Sequence, residues 1–192
     1  MRGELTDALL AGERDGLRIG AALTGGVEFD LGNSPREFTR EKVAGKTVIA
    51  TTTNGTRALR ACMGAKSVVV GSFLNLQATG NFVKENKPGH LLLVCSGTGE
   101  NAALEDTLAA GALCDLLLAR SPGLFPLDSA TIALRAYRHA ASDLSAALQA
   151  SHNARRLLAN ADLRDDVEFC LRRDSRPLTA FLETDGVVRK SG

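Results

Sequence analysis

A strand pattern, a polar turn and a helix pattern follow one another three times between residues 46 and 120. The predicted strands cover residues 46–52, 67–70 and 90–95, and the predicted helices cover residues 56–63, 75–86 and 101–120. Three such units in series favour a parallel sheet whose crossovers are right-handed. The alternation therefore predicts an α/β fold, with a ligand site where the strands end.

The composition is that of an ordinary globular protein and excludes several functional classes. Of the 192 residues, 44% are hydrophobic and 23% are charged, which suffices for one domain with a real core. A formal net charge of +1 gives no broad attraction to nucleic acid or to an anionic membrane. The apolar runs are also far shorter than a membrane span. We therefore expect a small-molecule ligand, with no nucleic-acid or membrane partner.

The four cysteines, Cys62, Cys95, Cys114 and Cys170, are widely spaced and accompanied by no clustered histidine, which argues against a zinc site. Unpaired cysteines are typical of a reducing compartment. The N-terminal residues carry charges throughout and lack the apolar segment of a signal peptide. The sequence thus predicts a cytoplasmic protein.

The segments on either side of the alternating region are less regular, and we treat residues 1–192 as one domain. Residues 1–45 are expected to form an irregular lobe, residues 46–120 the βα core, and residues 121–192 a helical and closing segment. Further helices are predicted at 5–11, 36–43 (capped by Ser34), 128–148 and 152–161 (capped by Ser151), with a last strand or loop at 177–190.

The turn after the first predicted strand suits a small anion. It contains, in order, Thr51, Thr52, Thr53, Asn54, Gly55 and Thr56. The threonines end the strand, Asn54-Gly55 forms the turn, and Thr56 can cap the next helix. Backbone N–H groups, hydroxyl donors and the nearby cation Arg57 could together bind a phosphate or a sulfonate. A plain polar turn between strand and helix is the alternative.

The other two turns are expected to join this one. Ser72 and Asn75 follow the second predicted strand, and residues 96–100 follow the third. Because the carboxyl ends of neighbouring parallel strands meet along one edge of a sheet, the three turns should share one crevice.

Two acids stand in the first turns of the third predicted helix. At about 100° per residue, Glu105 and Asp106 both point toward the packed side of that helix. With Glu100 they could hold Mg²⁺, a hard cation that takes oxygen ligands and usually keeps several waters. The alternative is that the two acids only complement the helix dipole.

A G-x-G-x-x-A pattern runs from Gly97 to Ala102, between a predicted strand and a predicted helix. This pattern binds dinucleotides in some α/β folds. Here no strand ending in an acid follows about 20 residues later, as that motif requires, because a long helix fills the space. A nucleotide-binding oxidoreductase is therefore kept as an alternative function.

Seven short motifs occur in order over most of the chain. They are GER at 12–14, FDLGNSP at 29–35, KT at 46–47 with TTTNGTRAL at 51–59, GS at 71–72 with Asn75, GTGE at 97–100, Glu105-Asp106 with Gly111, and residues 166–174 before Pro177. Together they resemble the 2-phosphosulfolactate phosphatases, magnesium-dependent phosphatases of coenzyme M biosynthesis. The resemblance implies a three-layer α/β/α fold with a mainly parallel sheet and bound Mg²⁺. It also implies hydrolysis of a phosphate ester on a small sulfonated or carboxylated acid, such as 2-phosphosulfolactate.

The hypothesis gives individual residues a role in that reaction. Arg14 or Arg57 would neutralise charge in the transition state, and Glu13 and Asp30 are the candidate bases. The metal would be held by Glu100, Glu105 and Asp106. The residues assigned to substrate binding are Asn33, Ser34, Thr52, Thr53, Asn54, Gly55, Thr56, Ser72, Asn75, Gly97 and Gly99.

Proteins of that family begin with a further strand and loop, which carries an Asp and an Arg-Ala-Thr-Ser type sequence, and nothing in this sequence matches it. We therefore expect the chain to be truncated at its N-terminus relative to the family. A sheet without that strand would expose an apolar edge and favour a homodimer. A non-catalytic, anion-binding remnant is a further alternative function.

Overall fold

The computed structural model describes residues 7–120 and 123–191. The chain divides into two compact units, Met1–Arg57 and Ala58–Gly192, and the boundary falls within one short helix. Each unit has its own small sheet. That the whole chain forms one domain stays a prediction.

The first unit is built around a three-stranded sheet. Its strands are β1 (Leu9–Arg14), β2 (Leu17–Arg18) and β3 (Val48–Thr51), and its helices are α1 (Ala21–Thr24), a 3₁₀ turn (Pro35–Glu37), α2 (Arg40–Val43) and the start of α3 (Gly55–Ala61). The central strand β1 runs parallel to β3 and antiparallel to β2. Ala8, Ala11, Ile19 and Leu31 are buried in this unit.

Residues 5 and 6 of the predicted helix at 5–11 lie outside the described residues. Over residues 7–11, which the structure describes, the prediction of a helix is wrong. Leu9–Arg14 is a strand whose residues Leu9 to Gly12 pair with Val48 to Thr51. Pairing with a distant strand overrides a weak local helix preference, because most of a short helix's stability comes from packing. The predicted helix at 36–43 is likewise divided, into the 3₁₀ turn and α2.

The second unit is mainly helical. Its helices are α4 (Leu76–Asn86), α5 (Leu104–Leu118), α6 (Asp128–Ala140), α7 (Leu144–Leu148), α8 (His152–Ala159) and α9 (Arg164–Leu171), with a 3₁₀ turn at Phe73–Asn75. Its strands β4 (Val69–Val70), β5 (Ala180–Leu182) and β6 (Val188–Lys190) form an antiparallel sheet in that order.

Helix α5 is the centre of the second unit and packs against both α4 and α6. It is apolar on nearly all sides, which is typical of a helix buried within a core. The core residues that surround it or belong to it are Phe73, Leu76, Val83, Leu108, Ala112, Leu113, Leu117, Tyr137, Leu148, Ala154 and Val167.

Helices α4, α5 and α8 agree with the sequence prediction to within three residues at each end, whereas α9 was not predicted. Ser151 caps α8 as predicted, because its hydroxyl accepts a hydrogen bond from the Ala154 N–H. The single predicted helix at 128–148 is divided into α6 and α7. Asp143 causes the break, since its side chain accepts from the Ala146 N–H and so starts a new helix.

The predicted strand at 90–95 is wrong. These residues form no strand, and no strand among the described residues pairs with them. The side chain of Leu92 is 82% exposed, so the apolar run lacks the burial that stabilises a strand.

The predicted mixture of helices and strands is confirmed, but the three-layer arrangement and the mainly parallel sheet are not. The strands β3 and β4 correspond to the first two predicted strands, but they belong to different sheets. The sheet that contains β4 is antiparallel throughout. The three turns therefore do not follow neighbouring strands of one parallel sheet. Their shared crevice stays a prediction.

Two predictions about the setting of the protein can be compared with the structure. No helix among the described residues has both the length and the apolar character needed to cross a membrane. All four cysteines are free thiols. The cytoplasmic location and the homodimer stay predictions.

Candidate functional site

The turn between β3 and α3, residues 51–56, is held together by two of its own threonines; we call it the threonine turn. The Thr52 hydroxyl accepts from the Thr56 N–H at 3.0 Å, and the Thr56 hydroxyl accepts from the Thr52 N–H at 3.2 Å. This reciprocal pattern resembles a helix capping box. Thr52 and Thr56 therefore fix the shape of the turn, and their role in substrate binding stays a prediction.

Glu13, near the end of β1, supports the threonine turn through a hydrogen bond. Its side chain is only 7% exposed, and its carboxylate accepts from the Thr53 N–H at 2.7 Å and from the Gly16 N–H at 2.9 Å. Burial raises the pKa of Glu13, but the hydrogen bonds from Thr53 and Gly16 outweigh it and leave the pKa below the usual value. A carboxylate with a lowered pKa is a poor general base at neutral pH. Glu13 supports the threonine turn in this structure, and its role as a base stays a prediction.

Arg14 places a cation beside the end of β3. Its guanidinium donates to the Thr51 hydroxyl at 3.3 Å and to the Glu13 carbonyl at 2.6 Å, and the residue is exposed. Arg57 is also exposed and lies in the first turn of α3. These two arginines fit the predicted role of binding an anion at the threonine turn.

Three other predicted residues of the first unit are Asp30, Asn33 and Ser34. The Asp30 carboxylate accepts from the Leu10 N–H at 2.8 Å and so supports β1. Ser34 is buried and Asn33 is exposed, in the segment that precedes the 3₁₀ turn. Roles for Asp30 as a base and for Asn33 and Ser34 in substrate binding stay predictions.

Asn75 in the second unit links separate segments of the backbone through hydrogen bonds. Its side chain is 5% exposed, and its amide N–H groups both donate, to the carbonyls of Val70 and Leu178. Its amide oxygen accepts from both the N–H and the hydroxyl of Ser72. Because these four bonds use the whole amide, Asn75 holds the turn after β4 and has no donor left for a ligand.

Asp106 braces the turn at residues 96–100, which we call the glycine turn. Its carboxylate accepts from the Gly97 N–H at 2.8 Å and from the Ser96 hydroxyl at 3.0 Å. Gly97 and Gly99 have φ angles of +68° and +61°, a conformation that favours glycine. Since no strand precedes this turn and the Gly97 N–H is already bound, the dinucleotide-binding alternative lacks the context it needs.

Glu105 lies in a pocket that the sequence did not reveal. Its carboxylate accepts from the Ser151 hydroxyl and from the Asn153 amide, both at 2.6 Å, and the same Asn153 amide donates to the Thr98 hydroxyl at 2.6 Å. The pocket has a volume of about 430 Å³ and is lined by Thr98, Asn101, Ala102, Ala103, Leu104, Glu105, Ala150, Ser151, His152 and Asn153. The predicted cap at Ser151 was the only sequence signal for this pocket. Because 46 residues separate Ser151 from Glu105, their contact could not be predicted from spacing.

The predicted three-carboxylate metal site is not formed. Among residues 7–120 and 123–191, no three His, Cys, Asp or Glu side chains lie close enough together to hold a metal ion. Glu100 is exposed, and Asp106 is bound to the glycine turn. Glu105 alone lies in a pocket, where Ser151 and the Asn153 N–H₂ group donate to its two carboxylate oxygens. Its role as a metal ligand stays a prediction.

Comparison with known proteins agrees with the motifs. The family described as 2-phosphosulpholactate phosphatase matches residues 2–184. A probable 2-phosphosulfolactate phosphatase of Caldicellulosiruptor saccharolyticus is 38% identical over 171 residues, covering 86% of this chain and 67% of the relative. That of Caldanaerobacter subterraneus subsp. tengcongensis is 37% identical over 185 residues, covering 95% and 71%. That of Thermotoga petrophila is 38% identical over 146 residues, covering 76% and 61%.

These relatives are named as phosphatases, which are phosphoric monoester hydrolases. The chain belongs to the 2-phosphosulpholactate phosphatase family, and the resemblance seen in the sequence is thus confirmed. It spans about two thirds of the length of these relatives, from 61% to 71%.

Proposed function

We propose that this chain hydrolyses the phosphate monoester of a small sulfonated or carboxylated hydroxy acid, in a reaction that depends on Mg²⁺. The substrate that the family name suggests is 2-phosphosulfolactate, which would give sulfolactate and inorganic phosphate. The observation that carries the proposal is the family match over residues 2–184, which includes the threonine turn, the glycine turn and Glu105.

The threonine turn is the part of the first unit best suited to the phosphoryl group. Glu13 holds the turn through the Thr53 N–H, while Arg14 lies against the Thr51 hydroxyl on an exposed part of this unit. Arg14 and Arg57 would bind the phosphate oxygens and balance the negative charge on the phosphoryl group and the leaving oxygen. In hydrolysis the oxygen of water forms a bond to phosphorus, the ester P–O bond breaks, and the proton that the water loses is taken up by the departing alkoxide, which becomes the alcohol.

Glu105 is the residue of the second unit that would hold Mg²⁺, with waters completing the coordination. In phosphatases that depend on it, Mg²⁺ supplies positive charge that stabilises phosphoryl oxygens. Asp106 would contribute only by fixing the glycine turn.

The test is release of inorganic phosphate from 2-phosphosulfolactate, phospholactate and a chromogenic ester, with Mg²⁺ and with a chelator. We expect release that requires Mg²⁺ and is fastest with 2-phosphosulfolactate. The Caldicellulosiruptor saccharolyticus relative serves as the positive control. Thermal stabilisation by phosphate without any release would instead support the non-catalytic alternative.

Replacing Arg14 by alanine should lower kcat/KM about 100-fold, because one cation at a developing oxyanion is typically worth about 10²–10³ in rate. Arg18→Ala, on the neighbouring strand β2, is the matched control and should change kcat/KM less than about twofold. Steady-state phosphate release measures both variants. Equal kcat/KM values for Arg14→Ala and Arg18→Ala would show that Arg14 is not part of the site.

A further inference from the structure

The apolar stretch at residues 90–95, which we call the unpaired segment, offers an open backbone edge. Among residues 7–120 and 123–191, no hydrogen bond involves a backbone N–H or carbonyl group of this segment. The segment also contains no turn or bend. Open backbone groups along an unbent chain are the groups to which a further β-strand forms its hydrogen bonds.

Burial alternates along the middle of the unpaired segment, as it does along a strand with one covered face. Leu93 packs against the core that surrounds α5, whereas its neighbours Leu92 and Val94 are 82% and 51% exposed. The contact of Leu93 keeps one face of the segment on the second unit. The opposite face presents Leu92 and Val94 to a partner.

The unpaired segment lacks the features that protect a strand edge. Natural sheets prevent association at an edge by placing charged side chains, especially lysine, or proline on it. Strand β6, at the edge of the second unit's sheet, has such protection in Arg189 and Lys190. Residues 91–95 are Leu, Leu, Leu, Val and Cys, with neither a charge nor a proline. Nothing in the composition of the segment therefore opposes strand pairing.

We propose that the unpaired segment pairs with the same segment of a second copy of the chain and so forms a homodimer. Antiparallel pairing is the more stable arrangement per residue, and it places Leu93 opposite Leu93 when the segment pairs about its middle. This inference assigns the predicted homodimer to one stretch of the second unit. It goes beyond the proposed hydrolysis and does not depend on it.

The unpaired segment is complementary to itself in this register. Leu92 of each copy lies opposite Val94 of the other on the exposed face, and Leu91 lies opposite Cys95 on the covered face. Apolar side chains that lie opposite one another across two strands stabilise a sheet. A two-fold axis relates the copies, so each contributes the same surface.

The contact is small compared with a permanent interface. Stable interfaces take about 20–30 residues from each partner, whereas the unpaired segment has the length of one ordinary strand. We therefore expect a reversible dimer, and its fraction should rise with protein concentration. In sedimentation the apparent mass should increase from 20.2 kDa toward twice that value.

Hydrogen exchange of the full chain at a low and a high protein concentration, followed by mass spectrometry, tests the backbone pairing directly. We expect the amides of residues 91–95 to exchange at least about threefold more slowly at the high concentration, because paired amides exchange only when the pairing opens. Association through side chains alone would not slow these amides.

Two substitutions separate strand pairing from general hydrophobic association. Leu92→Lys places a charge opposite Val94 of the second copy and should raise the Kd of the dimer at least about tenfold. The matched control is Ile132→Lys, at a residue of α6 that is 67% exposed, and its Kd should stay within about twofold of wild type. The Tm of each variant shows that the fold is retained.

The proposal is overturned if the chain stays monomeric at both concentrations, or if a dimer forms while residues 91–95 exchange freely. Protection that does not change with concentration would identify a partner strand within the same chain and would also overturn it. A third contradicting result is a dimer that Ile132→Lys weakens as much as Leu92→Lys does.

Discussion

Replacing Gly111 by alanine should destabilise the second unit by about 1–3 kcal/mol, although the same change inside an ordinary helix stabilises it by about 1 kcal/mol. Gly111 lies in α5 where that helix approaches α6 most closely. A Cβ atom there would meet the carbonyl group of Ala133 and would lie 2.7 Å from the Cβ of Tyr137. Backbone atoms of a packed helix cannot move aside, so the two helices would have to separate.

Chemical denaturation of the variant measures this effect, and two other glycines provide controls. Gly80→Ala in α4 would meet mainly the end of the Leu116 side chain, which can rotate away, so its cost should be smaller. Gly64→Ala has open space around it and should change the free energy of unfolding by less than about 0.5 kcal/mol. An increase in stability for Gly111→Ala would show that α5 and α6 do not pack as described.

Replacing Glu13 by glutamine should cost about 2–4 kcal/mol and should reduce phosphate release about 100-fold. A glutamine amide can accept from only one of the two N–H groups that now bind the carboxylate, those of Thr53 and Gly16, and it turns its own N–H₂ toward the other. Leaving a buried donor unpaired costs about 1–3 kcal/mol, and the charged hydrogen bond is lost as well. The threonine turn would then lose the support that fixes its shape.

The contribution of Glu13 should also depend on pH. Its pKa in the folded protein lies below the ordinary value of 4.5. The carboxylate therefore stabilises the fold fully above that ordinary value, and this stabilisation is lost as the pH falls through the lower, folded pKa. The difference in unfolding free energy between wild type and Glu13→Gln should be constant near neutrality and should shrink below about pH 4.5.

The control for this prediction is Glu28→Gln, at an exposed carboxylate with a single backbone partner, Ala21. It should change the free energy of unfolding by less than about 0.5 kcal/mol. If Glu13→Gln behaved like Glu28→Gln, the threonine turn would not depend on Glu13.

Local signals in the sequence predicted α4, α5 and α8 of the second unit, but not the break between α6 and α7 or helix α9. The apolar spacing of α4 and α5 and the cap at Ser151 are each contained within a few neighbouring residues. The strand at Leu9–Arg14 was missed because its stability comes from pairing with Val48–Thr51, more than 30 residues away. The run at 90–95 has a strand composition but no partner among the described residues, so composition alone misled.

The candidate site shows the same division between local and distant information. The threonine turn and the acids at the start of α5 were recognisable because their residues are adjacent in the chain. Two hydrogen bonds could not be predicted from spacing: the one that Glu13 accepts from the Thr53 N–H and the one that Asn153 donates to Glu105. The partners are 40 and 48 residues apart in the chain. These distant contacts show that Glu13 supports the threonine turn and that Glu105 and Asp106 have different partners.

The proposed hydrolysis requires that the phosphoryl group bind at the threonine turn. Titration of the ¹⁵N-labelled chain with inorganic phosphate, followed by amide chemical shifts, tests this directly. We predict that the largest shifts occur at residues 51–57 and that Arg14→Ala weakens the binding at least about tenfold, the equivalent of one charged hydrogen bond. Saturable binding that leaves residues 51–57 unshifted, or an affinity unchanged in Arg14→Ala, would contradict it.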